Sequence, residues 1–270
     1  MSAKEEFSER VSRNITGIGK DSDFKGLTNV WLREAIRHEY AQNFEWLGRP
    51  IIQIPQDVYA VQELIWKIKP DLVIETGVAH GGSLILSASL LAMIDYCDAV
   101  ENGTSLNPKE SNRKVLGIDI DIRAHNRSAI EAHPMSHKIE MIEGSSIDEK
   151  VIKQVQDIAC QHQTVMLFLD SNHTHDHVLA ELEAYAPLVS KGSYCVVWDS
   201  GVENLPVGFV TDRPWGKGNN PKTAVIAYLD KLKSGCIKAS DGEILNFEID
   251  KRIENKIVLS ASSDGFLCRC

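Results

Sequence analysis

From residue 71 to residue 233, short apolar runs alternate with amphipathic segments of helical period, and this pattern constrains the fold more than any other feature of the chain. The runs 71–75, 115–119, 138–142, 164–169 and 193–198 read as strands. The segments 83–95, 123–133, 147–161, 176–189 and 221–233 read as helices between them. Strands apolar on both faces and joined by helical crossovers build a mostly parallel sheet covered on both sides. Phe247-Glu-Ile-Asp-Lys-Arg and the stretch from Val258 onward read as neighbouring strands with Asn255 in the turn, an antiparallel hairpin. The expected class is α/β: a doubly wound, mostly parallel seven-stranded sheet with an N-terminal helical extension and a C-terminal antiparallel hairpin.

The first 69 residues differ from the rest. Residues 1–25 carry many charges and little apolar periodicity, so a mobile end is expected. Val30, Leu32, Ile36, Tyr40 and Phe44 recur at helical spacing over 27–44. An extended, proline-punctuated segment follows, and Asp57 is placed to cap a helix that runs to about Ile68 and stops before Pro70. Residues 1–69 are expected to cover the active site of a domain spanning 70–270. Segment 97–113, rich in Asn, Gly, Ser and Pro, reads as a surface insertion.

Composition narrows the partners. A net charge of −9 argues against nucleic acid, which needs a basic face. No apolar stretch reaches ~18 residues, so no membrane span is expected. The polar, acidic N-terminus is unlike a signal peptide. Six scattered cysteines fit a reducing, cytoplasmic setting, with Cys160 and Cys195 read as small core residues and Cys268-x-Cys270 as a weak metal signal. The expected partner is a small-molecule acceptor, and the chain is expected to be a homo-oligomer.

The first strand leads into Asp71-Leu-Val-Ile-Glu-Thr-Gly-Val-Ala-His-Gly-Gly-Ser83. Glycine permits positive φ and close backbone approach, and the helix beyond presents free N–H groups. The acid precedes the turn, whereas dinucleotide sites carry it about 20 residues later. A carboxylate there repels a pyrophosphate and suits a ligand that is partly cationic. Glu75-x-Gly77-x-Ala79-x-Gly81 resembles the first motif of class I S-adenosylmethionine (SAM) methyltransferases, with Ala79 in place of the middle glycine. That resemblance implies cofactor contacts from Glu75, Thr76, Gly77, Gly81 and Ser83. It also implies ribose contacts from Asp119, with Asp121 close by, and adenine contacts from Ser145 and Ser146.

Every strand ends in a polar residue: Glu75, Asp119, Glu143, Asp170 and Asp199. Ligands of open parallel sheets bind beyond these carboxyl ends. Asp170 and Asp199 end neighbouring strands, about 4.8 Å apart, and can share a hard cation, Mg²⁺ before Mn²⁺ or Ca²⁺, with Asn172 or His173 completing the set. His173, three residues past Asp170, suits removal of a hydroxyl proton. His175 and His177 read as structural. The glycine-rich loop 214–221 reads as an acceptor lid carrying Trp215 and Lys217, with Trp46 and Arg49 contributing from the N-terminal segment. A competing reading takes His173-x-His175-Asp176-His177 as the zinc motif of a hydrolase, although its spacing is one residue short.

Phe44-Glu-Trp-Leu-Gly-Arg-Pro-Ile51, residues 70–83, Leu116-Gly-Ile-Asp-Ile-Asp121 and Leu169-Asp-Ser-Asn-His173 together resemble the cephalosporin-hydroxylase-like family. That family has a SAM-methyltransferase fold and is related to rhamnosyl and macrolide-sugar O-methyltransferases. The resemblance covers roughly 27–230. It implies a SAM-dependent, Mg²⁺-assisted O-methyltransferase acting on a sugar or glycosylated product, with Asp170 and Asp199 on the metal and His173 as base. Relatives often carry Glu-Asp where this chain has Trp198-Asp199, which leaves a metal ligand missing or replaced. A non-catalytic SAM-binding partner subunit is the alternative that this departure favours.

Overall fold

The computed structural model describes residues 2–270. The chain opens with two helices, α1 (Ala3–Lys20) and α2 (Ser22–Arg37), and a small antiparallel hairpin, β1 (Phe44–Trp46) and β2 (Arg49–Ile51). Then follow α3 (Pro55–Ile68), β3 (Leu72–Thr76), α4 (Gly82–Asn102), β4 (Lys114–Asp119), α5 (Ala124–Glu131) and β5 (Ile139–Glu143). The second half comprises α6 (Glu149–Ala159), β6 (Val165–Leu169), α7 (His175–Tyr185), β7 (Tyr194–Val197), α8 (Pro221–Leu232), β8 (Phe247–Ile249), α9 (Lys251–Ile257) and β9 (Phe266–Arg269).

The seven-stranded sheet runs β5-β4-β3-β6-β7-β9-β8. The first five strands are parallel and the last two pair antiparallel. Strand order reverses at β3, which is flanked by β4 and β6, so a crevice opens at its carboxyl end. The register lines up Thr76 with Ile118 and Leu169, and Leu169 with Val197. Gly77, Asp119, Asp170 and the Trp198-Asp199 pair therefore leave the sheet along one rim.

The alternation of side chains across each strand divides the core into two layers. Leu72, Ile74, Leu167 and Val197 face α6, α7 and α8, while Val73, Met166, Phe168 and Val196 face α3, α4 and α5. In α4, Leu84, Ile85, Leu91 and Ile94 are buried, each contributing roughly 1.5–3 kcal/mol. Among the described residues α4 alone is long and apolar enough to cross a membrane by length and composition, which corrects the reading that no such stretch exists. Here it is the core helix of the sheet, and its buried Asp95 is paired with Arg113 and Lys138.

Several local expectations are corrected. The N-terminus is helical from Ala3: Ser2 and Glu5 form a capping box, and Arg252 on α9 donates to Ser12 on α1 at 3.1 Å. α2 stops at Arg37, and Phe44 begins a strand. Segment 97–113 is not wholly a surface insertion, because α4 continues to Asn102 and ends on Gly103 in the left-handed conformation. Asn255 lies inside α9, so β8 and β9 pair antiparallel without forming a simple hairpin; the second strand starts at Phe266. Charge density misled at these points because tertiary packing of one helix face outweighs local polarity. Cys160 is exposed at the end of α6, whereas Cys195 is buried.

Candidate active site

The rim of the sheet opens into a cavity of about 600 Å³. The Gly77–Ser83 turn forms its floor, Asp170, His173, Trp198 and Asp199 one wall, and residues 29–54 much of the opposite wall. α2 supplies Leu32, Ala35 and Ile36, so the N-terminal segment closes over the strand ends. Its long side chains give this wall an apolar character.

The floor is tightly specified. Gly77 has φ 91°, and a Cβ there would collide with the carbonyl of Asp170, so only glycine lets β3 and β6 approach this closely. Ala79 adopts φ 45°, the left-handed conformation that glycine takes at lowest cost. Neighbours hold it there. Asp119 Oδ2 accepts from Val78 N at 2.8 Å and Ala79 N at 3.3 Å, Asn126 donates to Ala79 O at 2.9 Å, and Arg49 donates to His80 O. Asp119 Oδ1 also accepts from Asp121 N at 3.1 Å, while the Asp121 side chain is exposed. Asp119 is therefore first a cap for the turn, and Oδ1 retains capacity for a ligand hydroxyl. Sequence spacing did not disclose this use of the carboxylate, nor the supporting role of Asn126.

Glu75 lies on the α4 side of β3, 1% exposed, with Ser83 Oγ donating to one oxygen and the other oxygen unpartnered. Burial pushes its carboxyl up to about 8, against the opposing hydrogen bond from Ser83. Thr76 is fully buried, and its carbonyl accepts from Asp170 N at 2.9 Å. Gly81, at φ 83°, precedes the first turn of α4. Ser145 is half-buried. Ser146 is buried and bonded to His177 Nε2 at 3.0 Å, and Tyr185 donates its hydroxyl to the Ser146 carbonyl.

Asp170, His173 and Asp199 converge, each with a ligating atom within 4.8 Å of the others. His173 Nε2 lies 3.2 Å from Asp199 Oδ2. Burial, and then the charges of Asp199, Glu75, Glu181 and Asp57, hold the Asp170 carboxyl well above the usual carboxylate range. Asp199 itself sits at φ 55°, a left-handed backbone uncommon outside glycine that turns its side chain to the rim. Asn172 is not part of the set: its Oδ1 accepts from Thr174 N and Thr174 Oγ1 at the start of α7. His175 and His177 also lie apart. His175 Nδ1 is 2.8 Å from Thr223 Oγ1, and His177 binds Ser146, with Glu181 at 3.4 Å. The histidine run thus splits across one helix, which overturns the zinc-motif reading.

Trp198 is 3% exposed and packs edge-on against Phe168 and Phe266. It fills the sheet–helix interface where a carboxylate would be desolvated. In the 214–221 loop, Trp215 meets His173 edge-on at 4.8 Å, and the Arg213 guanidinium lies over the Trp215 ring at 5.5 Å from its centroid. Lys217 is exposed and does not line the cavity, a correction to its assignment as a lid contact. The loop is pinned: Glu203 accepts from Gly218 N at 2.8 Å and from Asn220, and Asn219 accepts from His175 N at 2.9 Å. Trp46 and Arg49 act as supports. Trp46 donates to Ser89 at 2.9 Å, and Arg49 holds the turn.

Asp57 was expected to cap α3, yet Ile54 holds the cap position and Asp57 lies inside the first turn, 1% exposed. Burial pushes its carboxyl up to about 7, opposed by the nearby Ser260 hydroxyl and by the hydrogen bond from Ala261 N, and reinforced by the charge of Asp199. Four carboxylates (Glu39, Asp57, Asp170, Asp199) and one guanidinium (Arg213) line the cavity; Glu75 does not line it and reaches it through its hydrogen bond from the lining residue Ser83. The donor set fits a hard divalent ion, and the surplus of negative charge fits a cationic organic ligand.

This electrostatic imbalance gives a testable pH dependence. Carboxyls raised in the folded state keep protons that the unfolded chain releases near 3.8 for Asp57 and 4.5 for Glu75. Their stabilising contribution is full below those values and is lost as pH rises through about 7 and about 8 respectively. The slope is about 1.4 kcal/mol per pH unit per group. Paired acids such as Asp98 and Asp264, which are lowered, act below this range. The ligand-free protein should therefore unfold several degrees lower at pH 8 than at pH 5.5, and Glu75→Gln should flatten the difference. Equal melting temperatures for wild type at both pH values would refute the assignment of protons to these buried carboxyls.

Residues 38–270 match the family model described as Rhamnosyl O-methyltransferase/CmcI. The chain is 29% identical over 216 residues to the rhamnosyl O-methyltransferase of Mycobacterium tuberculosis, covering 79% of this chain and 73% of that one. It is 27% identical over 225 residues to the Mycobacterium leprae counterpart, covering 83% and 82%. Among solved structures, apo CmcI superposes with a TM-score of 0.52 at 17% identity, covering 84% of this chain and 76% of that one. CmcI with Mg and SAM gives 0.51 at 16%, covering 85% and 77%. These structural likenesses establish the fold.

Proposed function

This chain belongs to the rhamnosyl O-methyltransferase/CmcI family and is a SAM-dependent O-methyltransferase, and from that premise we propose how its residues methylate a hydroxyl of a sugar or glycosylated product. The observation that carries the reading is the convergence of Asp170, His173 and Asp199 beside the Gly77–Ser83 turn in one cavity. When bound, SAM supplies an electrophilic methyl on a sulfonium, and a Mg²⁺ ion supplies charge that makes a nearby hydroxyl more acidic.

The remaining roles belong to the chain. The Gly77 turn and the amino end of α4 hold the amino-acid part of the cofactor, with Glu75 and the other acids favouring its positive charge. Asp119 Oδ1 would accept a ribose hydroxyl, and Ser145 and Ser146 would contact the adenine. Asp170 and Asp199 would hold the metal. His173 takes the acceptor hydroxyl proton at the ring nitrogen that Asp199 does not engage, while the Nε2 contact with Asp199 keeps the ring in place. Trp215 and the apolar wall from α2 exclude water and orient the acceptor, so alignment of the two substrates supplies much of the rate. Residues 1–69 act as a cover on the 70–270 catalytic domain. A reducing, cytoplasmic setting is the reading that the six scattered cysteines of the sequence support.

Calorimetry with S-adenosylhomocysteine tests the cofactor site. Micromolar binding is expected, with none for NAD. Glu75→Ala and Asp119→Ala should each weaken it at least tenfold, about 1.4 kcal/mol. Unchanged affinity in both variants would remove the assignment. With a panel of rhamnosyl glycosides as acceptors, EDTA should lower methyl transfer, and Mg²⁺ or Mn²⁺ should restore it better than Zn²⁺. Full activity after exhaustive chelation would exclude the metal role.

A further inference from the structure

Asp57 is the one buried acid lining the cavity that the proposed chemistry does not use. It lies in the first turn of α3, which begins at Pro55 and receives no side-chain cap from Ile54. Its Oδ2 accepts from Ala261 N at 2.9 Å, tying α3 to the segment before β9. Its Oδ1 is buried without any partner, although the residue lines the same cavity as Asp170 and Asp199. A tie to Ala261 needs one oxygen and no charge; an asparagine or a serine would serve. A buried, unpartnered carboxylate oxygen costs on the order of 1–3 kcal/mol or more, so its retention calls for an occupant.

Charge and valence narrow that occupant. Asp57 acts electrostatically on Asp170, and Asp199 acts on Asp57, so the three carboxylates share one field. The sole guanidinium lining the cavity, that of Arg213, belongs to an exposed residue. Asp57 is outside the group whose ligating atoms lie within 4.8 Å of one another, so it does not join the inner ligands. A Mg²⁺ ion takes about six oxygen ligands and keeps several waters. Asp170 and Asp199 provide few of these, and the hydrogens of the remaining oxygen ligands need acceptors on the cavity walls.

We propose that Asp57 is an outer-sphere positioning residue of the cation site: Oδ1 accepts a hydrogen bond from a water or hydroxyl bound to a divalent ion held by Asp170 and Asp199. The inference rests on the metal reading given under Proposed function. It also accounts for how a site with Trp198 at the strand end meets the charge of its ion, since α3 brings a further carboxylate to the same cavity.

The test is Mn²⁺ binding to the full chain, followed by electron paramagnetic resonance, with S-adenosylhomocysteine affinity and metal-free thermal unfolding measured alongside. Asp57→Asn keeps an oxygen for Ala261 N–H and should weaken Mn²⁺ binding 10–100-fold, the usual effect of losing an outer-shell partner. Its S-adenosylhomocysteine affinity should stay within twofold of wild type. Asp57→Ala should unfold at a lower temperature than Asp57→Asn yet bind Mn²⁺ no more weakly, which separates the tie from the cation role. Unchanged Mn²⁺ affinity in Asp57→Asn would overturn the inference while leaving the metal site intact. Loss of S-adenosylhomocysteine affinity with unchanged Mn²⁺ affinity would also overturn it, by placing Oδ1 on the cofactor. Failure of wild type itself to bind Mn²⁺, with Asp170→Asn indistinguishable from it, would remove the metal reading and this inference together.

Discussion

His173→Ala is expected to reduce methyl transfer by roughly 10²–10⁴ while S-adenosylhomocysteine affinity stays nearly unchanged. The ring is held on two sides, with Nε2 at 3.2 Å from Asp199 Oδ2 and Trp215 edge-on at 4.8 Å. A base held in this way faces the acceptor hydroxyl and not the cofactor, so its loss should fall on the chemical step. Mn²⁺ affinity distinguishes this role from metal ligation: a base leaves it close to wild type, whereas an inner ligand lowers it strongly. His175→Ala and His177→Ala should be much milder, because each removes a supporting hydrogen bond worth about 1 kcal/mol, to Thr223 and Ser146 respectively. Wild-type turnover in His173→Ala at every pH tested would end the general-base assignment.

Asp170→Asn should separate function from stability. A metal ion supplies several kcal/mol of transition-state stabilisation, and each 1.36 kcal/mol is tenfold in rate, so a loss of about 10³ or more is expected together with loss of Mn²⁺ binding. In the metal-free state the same substitution should stabilise the protein. Asp170 is desolvated and lies in the field of Asp199, Glu75, Glu181 and Asp57. A neutral amide of the same shape removes that repulsion and preserves the bond from Asp170 N to the Thr76 carbonyl, which is made by the backbone. Thermal unfolding in EDTA at pH 8 should show a melting temperature above wild type, and the advantage should shrink when Mg²⁺ is added to wild type. A lower melting temperature in EDTA would mean that the carboxylate is compensated by groups other than a cation.

Periodicity determined the architecture because it is a local property that packing reinforces. Runs such as Leu72–Ile74 and Val165–Leu169 are apolar on both faces, and they became the buried strands of a parallel sheet. Positions at strand ends were equally legible, since Asp170 and Asp199 must leave neighbouring strands on one rim once those strands are parallel and in register. What lay beyond the reach of the sequence depended on contacts between distant segments. α1 is polar along most of its length, yet it forms a capped helix connected to α9 through Ser12 and Arg252. Asn255 looks like a turn residue and stands inside a helix. Asp119 was read as a ligand for ribose, and the fold spends most of its carboxylate on the N–H groups of Val78, Ala79 and Asp121. Asp57 was read as a cap, and packing of α3 against residues 260–261 turned it into a buried acid beside the metal-binding wall. A carboxylate's role is set by which donors and charges surround it in space, and those come here from residues 41 and 204 positions away along the chain. The alternation of apolar runs and amphipathic segments along the chain sufficed to locate the strands and helices of a parallel sheet, and only the tertiary structure decided which acids face a ligand and which hold the backbone.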